Sequence, residues 1–241
     1  MLISALDELA FAPEYPELAG KRVLITGVGG PLGVEIVRAF AEAKVRLIVQ
    51  TSEDSREMET LAEIIAPEAM DVLFYPGAID GSEAMLRFAR EAAQKFGGLD
   101  CVVNLAMVPE PPRDASEAQI EALVTEILAM SVLSSRVGAN RMRTMLAQGA
   151  ILNVLTVPYT ASGSRKLVGR IARNALAHFT KVEAETASVD GIRINAVVPA
   201  TFPDKSGQTL NGVVDVATLA LHLASGRDHE LSGLVFEAYC G

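Results

Sequence analysis

Short runs of apolar, often β-branched residues alternate with longer amphipathic segments along most of this chain, and this alternation constrains the fold more than any other feature. Seven runs are typical of buried strands: 22–26, 45–49, 72–75, 101–103, 150–155, 193–198 and 234–237. The segments between them carry apolar residues at helical spacing. Strands that alternate with helices pair in parallel, because each crossover helix returns the chain to the same end of the sheet. The pattern predicts an α/β fold, namely a three-layer, doubly wound parallel sheet in a single domain.

Residues 1–19 do not belong to this alternation. Pro13 and Pro16 interrupt a short apolar stretch, and the regular pattern begins only at Gly20. We therefore expect an N-terminal extension over residues 1–19 and one domain over residues 20–241.

Charge and cysteine content exclude several classes of protein. The chain carries 21 Lys and Arg against 30 Asp and Glu, a net charge of −9, whereas a protein that binds nucleic acid needs basic clusters for the phosphates. Cys101 and Cys240 are too few for a disulfide scaffold or a four-cysteine zinc site, and the histidines have no metal-ligand spacing. No uninterrupted apolar run reaches the ~18 residues of a membrane span. The N-terminus has acids where a secretory signal needs positive charge. We expect a cytoplasmic protein that binds no nucleic acid, membrane or metal.

A glycine-rich turn, Thr26-Gly-Val-Gly-Gly-Pro-Leu-Gly33, joins the first predicted strand to the first helix. Gly27 permits a tight turn, Gly29 and Gly30 leave backbone N–H groups bare toward a ligand, and Gly33 allows close packing of helix on strand. The positive end of the helix attracts a pyrophosphate. The turn favours a dinucleotide or another small phosphorylated ligand, although a plain strand–helix connection has the same sequence signature.

Five segments, in this order, resemble the short-chain dehydrogenase/reductase family. They are GKRVLITG (20–27), FGGLDCVVN (96–104), GAILNVLT (149–156), GIRINAVVP (191–199) and LSGLV (231–235). The resemblance extends over roughly residues 18–241. It implies a Rossmann fold, hydride transfer with NAD(H) or NADP(H), and assembly into a homodimer or homotetramer.

The resemblance also implies a set of cofactor contacts. They are Gly27, Gly29, Gly30, Leu32, Gly33, Thr51, Ser52, Asn104, Ala106, Arg173 and Pro199. Pro31 replaces a glycine of the family's turn and lacks an N–H, so we expect weakened or altered dinucleotide binding. Thr51 and Ser52 fall where family members that use NAD have an acid for the ribose. Without that carboxylate NADP is slightly favoured over NAD, and Arg56 is close enough in sequence to reach a 2′-phosphate.

The catalytic residues implied by the resemblance are largely replaced. The family uses a Ser together with the Tyr and Lys of a YxxxK motif, and the corresponding positions here hold Thr156, Gly169 and Arg173. Thr156 keeps a hydroxyl that can polarise a substrate oxygen, but the phenol that exchanges the proton is missing. Arg173 keeps a positive charge, although its pKa is too high for proton relay. Tyr159 is the alternative acid/base nearby.

Three functional hypotheses remain open. The first is an NAD(P)-binding protein that is impaired or non-standard as a dehydrogenase, acting as a sensor or an assembly subunit. The second is an active NAD(P)-dependent oxidoreductase of the carbonyl reductase or alcohol dehydrogenase type, with Thr156 and a non-standard acid/base such as Tyr159. The third is a lyase or isomerase on the same scaffold. The first is favoured because the Tyr, the Lys and the ribose acid are missing together, and because the lid segment between Pro199 and Ala217 is short.

Overall fold

The computed structural model describes residues 15–158, 160–200 and 213–239. Seven strands lie in one parallel sheet. They are β1 (Arg22–Val28), β2 (Arg46–Thr51), β3 (Asp71–Tyr75), β4 (Cys101–Met107), β5 (Gly149–Thr156), β6 (Ile192–Pro199) and β7 (Val235–Ala238). The α-helices of the described residues are α1 (Gly30–Glu42), α2 (Arg56–Ile65), α3 (Ser82–Ala92), α4 (Glu117–Thr144), α5 (Gly163–Ser188) and α6 (Val213–Ser225).

The strand order is β3-β2-β1-β4-β5-β6-β7, so the chain changes direction across the sheet between β1 and β4. The core residues of α1, α2 and α6 lie on one face of the sheet. Those of α3, α4 and α5 lie on the other face. This is the predicted three-layer, doubly wound fold. In such sheets ligands bind outside the carboxyl ends of the strands, at the point where the order reverses.

The starts of two helices follow from local sequence. α1 begins at Gly30, and Pro31 is well tolerated in its first turn. α4 is one continuous helix of 28 residues, and Ser116 and Gln119 form a capping box at its start.

The domain extends N-terminal to the predicted boundary at Gly20. Tyr15 and Leu18 are only 5% and 1% exposed and belong to the core under α1 and α6. Glu17 forms an ion pair with Arg227 at 2.5 Å, and the Arg227 guanidinium stacks over the Tyr15 ring at 4.5 Å. Residues 15–19 therefore pack as part of the domain, and the remainder of the expected extension lies outside the described residues.

α4 is long and apolar enough to cross a bilayer by length and composition, which is a weak indication when it concerns a single helix. The sequence shows no uninterrupted apolar run there because residues such as Ser131, Ser135 and Arg136 divide it. Ser131 and Ser135 are buried against the sheet, so one face of α4 is a core face. Only 28% of its most apolar window is buried, and its remaining large apolar side chains are half-buried rather than exposed.

Candidate functional site

The carboxyl ends of β1, β4, β5 and β6 bring most of the predicted site residues to one edge of the sheet. Strand register pairs Thr26 with Asn104 and Met107 with Thr156. Pro199 ends β6, and the neighbouring strand pair aligns Val154 with Val197. The alternative acid/base, Tyr159, and the lid segment 201–212 lie outside the described residues.

The glycines of the turn are required for different reasons. Gly27 has a φ of +69°, and a Cβ there would be 2.0 Å from the carbonyl oxygen of Leu105. A Cβ on Gly33 would lie 3.2 Å from a Val28 methyl, which is the close helix–strand packing that the sequence predicted. Gly30 has a φ of +60°, but a Cβ there would meet nothing within 4 Å. The turn is therefore closed toward the sheet and open in front of α1, where a pyrophosphate would fit.

A buried glutamine, which sequence reasoning missed, occupies one backbone donor of the turn. The N–H of Gly27 donates to Oε1 of Gln50 at 2.8 Å, and Nε2 of Gln50 donates to the carbonyl oxygen of Gly77 at 2.8 Å. Gln50 is 3% exposed at the end of β2. A polar residue in an otherwise apolar strand was the available signal. Since Pro31 has no N–H, an anion at this turn depends on the remaining donors at the start of α1, such as that of Leu32.

The predicted ribose edge has one buried and one exposed hydroxyl, and the exposed one, on Ser52, donates to the carbonyl oxygen of Val28 at 3.2 Å. Oγ1 of Thr51 accepts the N–H of Gly77 at 2.8 Å and donates to a main-chain carbonyl two residues further on at 2.6 Å, and the residue is fully buried. Ser52 is exposed, and its Oγ would lie 2.3 Å from a Cβ on Gly29. Arg56 is the exposed first residue of α2. The Thr51 side chain thus ties two loops together, while Ser52 borders the glycine turn.

Asn104 belongs to a buried polar network. Its Oδ1 accepts from Oγ1 of Thr26 at 2.9 Å, and its Nδ2 donates to Oδ1 of Asn153 at 2.8 Å. Oγ of Ser135 donates to the same Asn153 oxygen at 3.0 Å. All four residues are at most 1% exposed. The network holds β1, β4, β5 and α4 together, so the Asn104 side chain has a structural role here, and a cofactor contact of Asn104 stays a prediction.

A valine fills the space beside the residue that replaces the family's tyrosine. Gly169 is buried in α5, and a Cβ there would be 2.6 Å from a methyl group of Val157 and 3.8 Å from one of Val108. Among the described residues, the hydroxyl of Thr156 makes one hydrogen bond, a long one of 3.5 Å to the carbonyl oxygen of Ala106. Thr156 is half-buried and keeps a hydroxyl able to donate, whereas any side chain at position 169 would begin in close contact with Val157.

Arg173 is engaged within the protein. Its Nη2 forms an ion pair with Oε1 of Glu237 in β7, and its Nε donates to the carbonyl oxygen of Pro199 at 3.2 Å. Sequence reasoning missed Glu237, an acid in a short apolar strand. The positive charge that would stand near a nicotinamide ribose is therefore balanced by a carboxylate of this chain.

Two loops beside Thr156 are linked by charged and polar contacts. Nε of Arg165 donates to the carbonyl oxygen of Val108 at 2.6 Å, and Oγ of Ser162 hydrogen-bonds to Glu110. Ser162 also caps α5, because its Oγ accepts the N–H of Arg165 at 3.1 Å. The contacts fix the start of α5 against the segment that follows β4.

These features define a class of protein: a parallel α/β sheet with a glycine-rich turn at its switch point is the architecture of dinucleotide-binding proteins. The family model described as short chain dehydrogenase matches residues 21–211, and the chain belongs to that family. The predicted resemblance is confirmed. In residues 15–158, 160–200 and 213–239 no group of three or more His, Cys, Asp or Glu side chains could hold a metal ion.

Curated relatives and solved structures are similar over most of the chain. L-fucose dehydrogenase from Bos taurus is 24% identical over 188 residues, which cover 76% of this chain and 67% of that protein. Momilactone A synthase from Oryza sativa subsp. japonica is 25% identical over 208 residues, covering 85% and 75%. A short chain dehydrogenase from Mycobacterium smegmatis has a TM-score of 0.76 at 22% identity over 94% of both chains. An NADPH dependent reductase involved in bacilysin biosynthesis has a TM-score of 0.75 at 18% identity, covering 90% of this chain and 98% of that one.

Proposed function

We propose that this chain binds NAD(P) at the glycine turn and does not work as a standard dehydrogenase, acting instead as a nucleotide-responsive sensor or assembly subunit. The observation that carries the proposal is the contact between positions 169 and 157. The place of the family's proton-exchanging phenol is taken by a glycine whose free side is filled by the Val157 side chain.

Binding of the dinucleotide is supported by the turn and by the family. The backbone in front of α1 is open at Gly30, and the helix terminus supplies donors and a positive partial charge to a pyrophosphate. NADP is slightly favoured over NAD, since no carboxylate occupies the Thr51 or Ser52 positions and Arg56 is exposed nearby.

Impaired chemistry is supported by three features together. A bound nicotinamide supplies or accepts a hydride, but the oxygen of the substrate also needs a proton donor or acceptor in position. Gly169 has no such group, and Arg173 is paired with Glu237 and does not exchange protons at neutral pH. Thr156 alone can donate a hydrogen bond to a developing oxyanion without completing the proton transfer.

An active NAD(P)-dependent oxidoreductase is the second candidate, and one observation favours it. The Thr156 hydroxyl is half-buried and weakly held, so it remains able to turn toward a substrate oxygen. Tyr159 would then be the acid/base. L-fucose dehydrogenase, named above, and Glucose 1-dehydrogenase 2 from Bacillus subtilis (strain 168), which is 22% identical over 195 residues, make L-fucose and glucose the first substrates to test.

Self-association is part of the proposal. α5 exposes Leu167, Ile171 and Val182 at 55%, 43% and 45%, and α4 has half-buried apolar side chains along much of its length. Apolar helix faces of this kind are typical of interfaces between subunits. We infer a homodimer or homotetramer through α4 and α5, which light scattering on the purified protein tests directly.

The decisive experiment compares melting temperatures with NADPH, with NADH and without cofactor. A ligand at 100 times its Kd adds about 2.7 kcal/mol to the free energy of unfolding. A shift with NADPH, combined with no turnover over a panel of carbonyls and alcohols that includes L-fucose and glucose, supports the proposal. The absence of a shift with both cofactors overturns it, and turnover that Thr156→Val abolishes establishes the second candidate.

A further inference from the structure

A pocket of about 210 Å³ opens at the amino-terminal edge of the sheet, on the side opposite the glycine turn. It lies between the start of β6, the end of α5 and the loop that leads into β7. Its lining includes Gln148, Ser188, Ile192, Arg193, His229 and Ser232. None of these residues takes part in the candidate nucleotide site, so the pocket is independent of the proposed function.

Arg193 is the unusual residue of this lining. It is the second residue of β6 and only 8% exposed. Its Nη1 donates to the carbonyl oxygen of Leu223, in the last turn of α6, at 2.7 Å. Within the described residues this is the one hydrogen bond that its guanidinium makes, although the group carries five N–H donors. The bond to Leu223 caps the end of α6 and uses one of these donors. The remaining donors of the guanidinium take no part in that cap.

The charge of Arg193 has no carboxylate at close range. In the described part of the chain no Asp or Glu oxygen lies within 4 Å of its nitrogens. Glu230, between the lining residues His229 and Ser232, is exposed and forms no ion pair with Arg193, and two other nearby acids have partners of their own. Asp228 pairs with His222 at 2.7 Å, and Asp190 pairs with Arg143 at 2.6 Å. Burial lowers the pKa of Arg193, and the attraction of Cys101 and Asp228 only partly offsets that effect. Buried guanidinium groups are ordinarily paired, because desolvating an unpaired charge is expensive.

The rest of the lining supplies neutral donors rather than a counter-charge. Oγ of Ser232 accepts the N–H of Ile194 at 3.2 Å, which leaves its own proton free to donate. Gln148 is exposed at the rim and its side chain lies against Gly191. A guanidinium with a hydroxyl and an amide beside it is the donor set that recognises phosphate and carboxylate groups.

We propose that this pocket binds a small oxyanion, a phosphate or carboxylate group, with Arg193 as its charged ligand. The anion would join the start of β6 to the loop before β7 and to the last turn of α6. Its binding would therefore stabilise the fold without involving the glycine turn.

Thermal unfolding of the full-length protein tests this in sodium phosphate, sodium acetate and sodium chloride at equal ionic strength and pH. Saturating phosphate or acetate should raise the Tm by about 3 °C over chloride. The stronger of the two responses identifies a phosphate or a carboxylate as the preferred group. Side-chain NMR of the Arg193 Nε–H should show a saturable shift in the same titration.

Three variants make the test specific. Arg193→Gln removes the charge but keeps an amide donor for the Leu223 carbonyl, and it should lose the anion-dependent rise. Gln148→Glu places a carboxylate at the exposed rim without touching Arg193, and it should lose the rise even if Arg193→Gln fails to fold. Arg46→Gln changes an exposed arginine that begins β2 at the same sheet edge, and it should keep the full rise. Equal rises in wild type and in the Gln148→Glu variant, or an unperturbed Arg193 signal, overturn the proposal.

Discussion

Val157 occupies the space into which a side chain at position 169 would have to extend: its Cγ2 lies 2.6 Å from where a Cβ on Gly169 would be placed. One residue follows β5 and the other lies in α5, so the contact joins the two elements that carry the reacting groups in this family. The relationship ties the packing of α5 to the end of β5.

We expect Gly169→Ala to destabilise the protein by about 1–2 kcal/mol, because the added methyl group overpacks against Val157. The helix propensity gained by replacing a glycine, about 1 kcal/mol, offsets part of this cost. Gly163→Ala in the same helix is the matched control, since a Cβ there meets nothing within 4 Å and should be neutral or stabilising. Chemical denaturation measures both variants. If the loss of unfolding free energy in the double variant Gly169→Ala with Val157→Ala equals the sum of the losses in the two single variants, the contact between the two positions does not cause the destabilisation.

Restoring the family's tyrosine and lysine should not restore activity. In Gly169→Tyr with Arg173→Lys the Cβ of the tyrosine would collide with Val157, and the ammonium group would lose the two-point contact that Arg173 makes with Glu237 and Pro199. We expect a lower Tm and no NAD(P)H-dependent turnover with a carbonyl panel. Clear turnover in this variant would show that the two side chains alone were missing from the site.

A substitution in the glycine turn should change the response of the protein to NADPH. Gly30→Ala should cost about 1 kcal/mol of stability because of its positive φ, and it should abolish the NADPH-induced rise in Tm because the methyl group enters the open space before α1. Gly81→Ala is a matched control, since Gly81 also has a positive φ, of +82°, and no atom within 4 Å of its Cβ position. It should lose similar stability but keep the NADPH response, and an identical loss of response in both variants would contradict the assignment.

The nicotinamide half of the cofactor should contribute little to affinity. Arg173 is paired with Glu237, and the Thr156 hydroxyl is directed to the Ala106 carbonyl, so neither is held ready for that half. The 2′-phosphorylated ADP-ribose part of NADPH should therefore bind within about threefold of NADPH itself in a calorimetric titration. A dinucleotide that binds a hundredfold more tightly would mean that the reacting end of the site is intact.

The ion pair between Arg22 and Asp100, at 2.8 Å, should make stability depend on acid pH. Burial would raise the pKa of Asp100, but the hydrogen bonds and charge of Arg22 outweigh it and hold that pKa below its usual value. A lowered folded-state pKa gives stability that is present above the unfolded pKa, near 4, and is lost as the pH falls below it.

Asp100→Asn should accordingly cost about 2 kcal/mol at pH 7, and the difference from wild type should shrink below pH 4. The exposed pair of Lys44 and Glu68 is the control, and Glu68→Gln should change stability by less than about 1 kcal/mol. Denaturation curves at several pH values measure both. A constant difference for Asp100→Asn from pH 7 to pH 3 would exclude this linkage.

The sequence by itself determined the architecture of this protein. Alternating apolar runs and helical segments, with glycines between the first strand and the first helix, were sufficient for the parallel sheet and its two helix layers, while the resemblance of five sequence segments indicated the family. These signals are local: the period of a strand or helix and the φ requirement of Gly27 are written into consecutive residues. The replacement of the YxxxK residues by Gly169 and Arg173 stays a prediction that rests on the sequence resemblance alone.

Only the tertiary structure decided what those residues do. Gln50 takes the Gly27 donor, Glu237 balances Arg173, Val157 fills the space beside Gly169, and Arg193 is buried at a pocket without a carboxylate partner. Each of these facts depends on groups that strand order and helix packing bring together. In the three pairs of residues, the partners are 12 to 64 positions apart in the sequence. No local periodicity encodes such a pair, because the energy of a contact or a buried charge is set by whatever the fold places beside it.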